Sequence, residues 1–226
     1  MLALDQRGHG RSERVPRDVS RSAHIADTVA VIEQLNLGPV VLIGQSLGGH
    51  LALLVAAERP DLVRALVIAE ASPAGGDRDA VQETVAGVGR WLREWPVPFA
   101  DREAAIAHFG GQTLWAQAWA DGLESRDDGC LWPAFEVDVM EKTLREAISQ
   151  AYWNEWELIR CPTLIVRAGD GTLDPDTAEE MLARLPHAEL VEIADAGHDV
   201  HLDRPDQWHE AVTSFLNSLP ARSLTG

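Results

Sequence analysis

Short apolar runs alternate with helix-periodic stretches at both ends of the chain, and a long middle section breaks that rhythm. Residues 40–43 are four apolar residues in a row, three of them β-branched, and predict a strand buried on both faces. Residues 63–69, mostly aliphatic with Arg64 near the start, read as the next parallel strand. Residues 161–168 and 190–193 read as two more, and residues 1–5 as a short one. Between them, residues 20–36 place Ile25, Val29 and Ile32 at i, i+4 and i+7 with Asp27 and Glu33 outward, which predicts a helix that Gly38 and Pro39 stop. Residues 51–57 are helical and apolar throughout. Residues 177–185 form a helix opened by Asp174, Pro175 and Asp176, and residues 205–219 turn Trp208, Val212, Phe215 and Leu219 inward. This alternation predicts an α/β fold built on a doubly wound, mostly parallel sheet.

From Ser72 to Ile159 no buried strand is expected. Helical stretches at 80–94, 102–109, 113–120 and 138–156 are separated by Pro96, Pro98, Gly110, Gly111, Gly122 and Gly129. The chain therefore divides into a core made of residues 1–71 and 160–226 and a helical insertion at 72–159. Seven of the eight tryptophans fall in that insertion, Trp91, Trp95, Trp115, Trp119, Trp132, Trp153 and Trp156. They either fill its own small core and its seam with the sheet or line an apolar pocket facing Ser46, which would favour an aromatic or acyl substrate. Trp115 and Trp119, one turn apart, suit the first reading.

With 226 residues, 46% of them hydrophobic, the chain can build one good core and a small accessory unit but not two full domains. Its 36 acidic against 19 basic side chains give a net charge of -17, which argues against nucleic acid or an anionic membrane as partner. Cys130 and Cys161 have the spacing of neither a metal site nor a redox pair and are expected to be reduced. No leader pattern opens the chain and no apolar run approaches the roughly 20 residues of a membrane span, so a cytoplasmic protein is expected.

The strand at 40–43 runs into Gly44-Gln45-Ser46-Leu47-Gly48 and then directly into a helix. A serine held out on so sharp a strand-to-helix bend crowds the backbone two residues before and after it, where Gly44 and Gly48 supply room and Gly49 adds more. This G-x-S-x-G context marks Ser46 as a nucleophile rather than an ordinary capping serine.

The segment resembles the nucleophile elbow of the α/β-hydrolase superfamily. Asp5, Arg7, Gly8, Gly10 and Ser12 match the D-x-R-G-x-G-x-S loop that follows the fourth strand of that family's sheet. The resemblance implies that the first three strands of the fold precede Met1. With them would go the loop that carries the second oxyanion donor, a loss that would cripple the chain even with its triad intact. It implies that the insertion at 72–159 is a lid. It also implies a triad in the order Ser46, Asp170, His198, gathered at the carboxyl edge of the sheet, with the Leu47 N–H as an oxyanion donor. Asp170 is favoured because the family's acid follows a small residue at the end of this strand by one or two positions. Glu70, which ends the strand after the nucleophile helix where some members place the acid, competes with it, as do Asp174 and Asp176. His198 follows the last strand and a glycine, as in the family's G-H pair; His201 is the reserve, and His9 is a candidate pocket residue.

These residues imply a serine hydrolase that opens a carboxylic ester or lactone through an acyl-enzyme, needing neither cofactor nor metal, with a small apolar or aromatic substrate as its partner. Cofactor-free perhydrolysis, C–C bond hydrolysis and elimination use the same triad, and a non-catalytic binding remnant is the alternative of a different kind.

Overall fold

A computed structural model describes residues 1–220. The first part of the chain carries α1 (Arg21–Gln34), β1 (Val40–Gln45), α2 (Leu47–Glu58) and β2 (Val63–Ala69). The middle part follows with α3 (Arg78–Arg93), α4 (Arg102–His108), α5 (Leu114–Asp121), β3 (Leu123–Ser125), β4 (Leu131–Pro133), α6 (Val137–Ile148) and α7 (Trp153–Leu158). The last part adds β5 (Thr163–Ala168), α8 (Pro175–Arg184), β6 (Ala188–Ile193), α9 (Val200–Asp203) and α10 (Pro205–Ser218).

Among the described residues two compact units emerge, one of residues 1–31 and 74–152, the other of residues 32–73 and 153–220. The boundary thus differs from a division at residues 71 and 160, because the first 31 residues group with the insertion and α7 groups with the sheet. In the sheet unit, four parallel strands run in the order β1-β2-β5-β6. Ala65, Val67 and Ala69 share one face with Leu164, Val166 and Ala168, and Val212 and Phe215 of α10 pack on that cluster. The intervening Leu66 and Ile68 are fully buried too, as a strand covered on both faces requires. Trp156 of α7 is also fully buried, and its indole N–H donates to the Met181 carbonyl at 2.9 Å.

Two expected strands differ. Residues 1–5 form none, because a strand exists only against a ladder partner and none pairs with them among the described residues. The β1 strand is half-buried rather than buried on both faces, since it lies at the sheet's edge, with Ile43 47% exposed.

The other unit holds the D-x-R-G-x-G-x-S loop, tied by a two-bond pairing of Arg7 with Asp27 at 2.6 and 2.7 Å and by the Ser12 hydroxyl donating to the Asp5 carbonyl. Its α3 and α6 are bridged by Arg93, which reaches Asp138 and Glu141. Trp95, Phe99 and Phe109 are buried in the insertion's own core with Trp115 and Trp119 packed against it, while the exposed Trp91 stands edge-on to Trp95 and Trp119. The β3–β4 hairpin is too short to show in the apolar pattern. Among the described residues no helix is long and apolar enough to cross a membrane.

The turn between β1 and α2 does not use its glycines equally. A Cβ at Gly44 would run into the backbone carbonyl of Gly48, and one at Gly49 would meet Ala71 at 2.9 Å, whereas one at Gly48 meets nothing among the described residues. The room expected of Gly48 is therefore supplied by Gly44 and Gly49. Gly44→Ala should lower the unfolding free energy in urea by about 1–3 kcal/mol, while Gly48→Ala, in a first helical turn, should change it by no more than about 1 kcal/mol. Equal losses would contradict this assignment.

Candidate active site

The β1 and β2 strands end side by side, Gln45 beside Ala69, and the Ser46 N–H donates to the Ala69 carbonyl at 2.8 Å. This bond pins the residue after β1 to the end of β2. Ser46 then takes φ 51° and ψ −120°, a conformation that costs a non-glycine residue about 1–3 kcal/mol. Its side chain makes no capping bond to α2, so a helix cap does not account for serine here. Leu47 opens α2, and its N–H belongs to the first turn, whose amides have no acceptor within the helix.

Glu70 follows β2 directly and is likewise strained, at φ 50°. It is 3% exposed, and its carboxylate is wrapped by the chain that leaves β5. The Ala168 N–H donates to Oε1 at 2.7 Å, while the N–H groups of Thr172 and Leu173 donate to Oε2. Gly171 must be glycine for the same reason, because a Cβ there would strike this carboxylate. On the outer side of Oε2 lies Nδ1 of His198, 3.5 Å away. Burial pushes the Glu70 carboxyl upward, yet its bonding with His198 and with the three amides outweighs this and holds it below the usual glutamate range.

His198 is placed by two further bonds. The Gln45 side-chain N–H donates to the His198 carbonyl at 2.9 Å, which ties the histidine loop to the residue next to Ser46. The Gly197 N–H donates to Asp203 at 2.8 Å, fixing the loop from the α9 side. Burial lowers the pKa of His201, which packs its ring 6.1 Å from that of Trp208.

A sequence model described as "Alpha/beta hydrolase family" matches residues 1–211. The chain belongs to the alpha/beta hydrolase family. Its relatives include the mouse sn-1-specific diacylglycerol lipase ABHD11, 29% identical across 96% of this chain and 71% of that protein. A second is the 2-(acetamidomethylene)succinate hydrolase of Mesorhizobium japonicum, 29% identical across 96% of this chain and 78% of its own length. Among solved structures, an E-2-(acetamidomethylene)succinate hydrolase superposes with a TM-score of 0.82 at 24% identity, covering 94% of this chain and 80% of that one. An enol-lactonase from Burkholderia xenovorans gives 0.73 at 16% identity over 94% and 78%.

Within this alpha/beta hydrolase, Ser46 and His198 are brought to one sheet edge, and the carboxylate that meets the histidine is Glu70. Asp170 is exposed, and among the described residues its carboxylate makes no hydrogen bond or ion pair with His198. What Asp170 contributes is backbone, its N–H donating to the Ala196 carbonyl at 2.9 Å. The sequence carried a signal for the difference: an acidic residue directly after an otherwise apolar buried strand must be spoken for, whereas Asp170 sits in a turn where aspartate is common. Gln45 and Thr172 had no such signal.

Because the folded-state pKa of Glu70 is depressed, its contribution to stability is present above the unfolded glutamate value and is lost as pH falls through the folded one. Urea unfolding from about pH 7 down to about pH 3 should show that loss beginning below about pH 4.3 in the wild type. Glu70→Gln should be less stable at neutral pH and should fall less steeply over the acid range. Parallel curves would contradict the assigned environment.

Proposed function

We propose that this chain is a serine hydrolase that cleaves a carboxylic ester or lactone through an acyl-enzyme on Ser46, with His198 as general base and acid and Glu70 as the carboxylate that orients it. The observation that carries the reading is the junction at the ends of β1 and β2. There a strained serine free of any capping bond stands next to Gln45, which holds the loop of a histidine whose Nδ1 faces a buried, ionised carboxylate.

A serine hydroxyl is a weak nucleophile until a base removes its proton. With a hydrogen on Nδ1, on the side of the ring that faces Thr172 and Glu70, the lone pair of His198 lies on Nε2, the nitrogen that takes the Ser46 proton as Oγ bonds to the substrate carbonyl carbon. The C=O electron pair moves onto the oxygen, and the Leu47 N–H donates to it. Collapse expels the alkoxide, which leaves with the proton from Nε2. Water, deprotonated by the same nitrogen, then attacks the acyl carbon; the C–Oγ bond breaks, Ser46 Oγ takes the proton back from Nε2, and the carboxylic acid leaves. Glu70 keeps its charge throughout and stabilises the imidazolium formed in each half-reaction.

Relatives named as a lipase and as an (acetamidomethylene)succinate hydrolase support cleavage at an acyl carbon. A substrate screen should therefore span nitrophenyl esters, lactones and N-acyl enamine acids. Ser46→Ala should abolish nitrophenol release and remove the acyl adduct that mass spectrometry detects on the wild-type chain; undiminished turnover would overturn the mechanism. Glu70→Gln should lower kcat by about 10²- to 10⁴-fold, whereas Asp170→Asn should stay within about threefold of wild type. The reverse ranking would return the acid's role to Asp170.

A further inference from the structure

Glu70 is not the nearest oxygen to the histidine ring. The Thr172 hydroxyl lies 2.9 Å from His198 Nδ1 and 3.3 Å from Glu70 Oε2, while the direct separation of Nδ1 from Oε2 is 3.5 Å. A hydroxyl has one proton to give and lone pairs to accept with, and a carboxylate can only accept. We propose that Thr172 is a positioning residue that bridges the pair, donating its proton to Glu70 Oε2 and accepting the Nδ1 hydrogen of His198, so that its hydroxyl fixes the ring's tautomer and carries the carboxylate's influence to the imidazole.

The direction of this relay follows from the surroundings of Glu70. Three backbone N–H groups aim at its oxygens, one from Thr172 itself, so the carboxylate stays ionised and the Thr172 hydroxyl sits within reach of a strong acceptor. The opposite arrangement, with Thr172 donating to a bare Nδ1, would put the ring hydrogen on Nε2 and point two lone pairs, those of Nδ1 and Oε2, at each other across 3.5 Å. That arrangement also disables the base. The backbone serves the same end, because the amide of Thr172 and its hydroxyl both address Oε2, which leaves the side chain little freedom to turn away. Of the other titratable groups nearby, His201 of α9 lies within electrostatic reach of His198, and Asp203 of α9 accepts from the Gly197 N–H.

This inference rests on the proposed hydrolase reading, and its test separates the two. The readout is the rate at which a fluorophosphonate labels Ser46 as a function of pH, which requires the serine and its base but no turnover. Thr172→Val keeps the shape and the backbone amide and removes the hydroxyl. Its plateau rate should fall roughly tenfold, and the midpoint of its acid limb should move down on the order of half a pH unit, because an imidazolium deprived of its acceptor is less stable. Thr172→Ser should restore both the rate and the midpoint. A Thr172→Val chain that labels at the wild-type rate with an unshifted or raised midpoint overturns the bridge, and so does a Thr172→Ser chain as slow as the valine variant. Labelling that persists in Ser46→Ala would instead overturn the hydrolase reading itself.

Discussion

A buried carboxylate cannot remain charged without donors, and the arrangement of this hydrolase's sheet edge follows from meeting that need at Glu70. Its side chain is wholly buried, in surroundings that alone would favour the neutral acid. Its bonding with His198 and with three amides, one at the end of β5 and two from the segment after it, reverses the balance, and that segment reaches the carboxylate only by wrapping tightly around it, with glycine at 171 to let it pass. The charge so held faces the Thr172 hydroxyl and the imidazole of His198. Remove the carboxylate and the buried N–H groups of Ala168 and Leu173 lose their acceptor together with the Thr172 N–H and the histidine, so the turn after β5 and the candidate site are stabilised by the same interaction.

Two strained residues occupy adjacent strand ends, and in both the side chain explains why glycine is absent. Ser46 and Glu70 each adopt a positive φ that glycine would take at little cost. The hydrogen bond from Ser46 N–H to the Ala69 carbonyl, the register of β1 against β2 and the packing of Gly49 on Ala71 over-determine both conformations. Gln45 then extends the fixed geometry to the histidine loop. Rigid parallel strands thus hold the chemistry, and the loops after β5 and β6 are fitted onto them by named bonds.

Much of this was legible in the residues. Buried parallel strands leave apolar runs, so β2, β5 and part of β6 could be read, as could the serine at the elbow, whose glycines and flanking elements leave few alternatives. The histidine was marked by its place after the last strand. The carboxylate beside His198 is Glu70 and not the expected Asp170, because position relative to a strand end does not reveal which of two carboxylates is turned inward. That is decided by donors such as the amides of Ala168 and Leu173, which every sequence possesses and none advertises. The same limit hid Thr172 and Gln45, whose roles come from distances across 26 and 153 residues of chain. Residues 1–5 illustrate the converse, since an apolar stretch becomes a strand only where a partner offers its edge.

The central claim is that His198 carries its hydrogen on Nδ1 because of the charge on Glu70. Nitrogen-15 NMR of the ring at neutral pH tests it most directly, since the protonated and unprotonated ring nitrogens resonate far apart. The account predicts a protonated Nδ1 in the wild type and in Asp170→Asn, and a ring that reverts to a mixture of tautomers in Glu70→Gln. A wild-type ring with its hydrogen on Nε2, or a signal that responds to Asp170 and ignores Glu70, would contradict it.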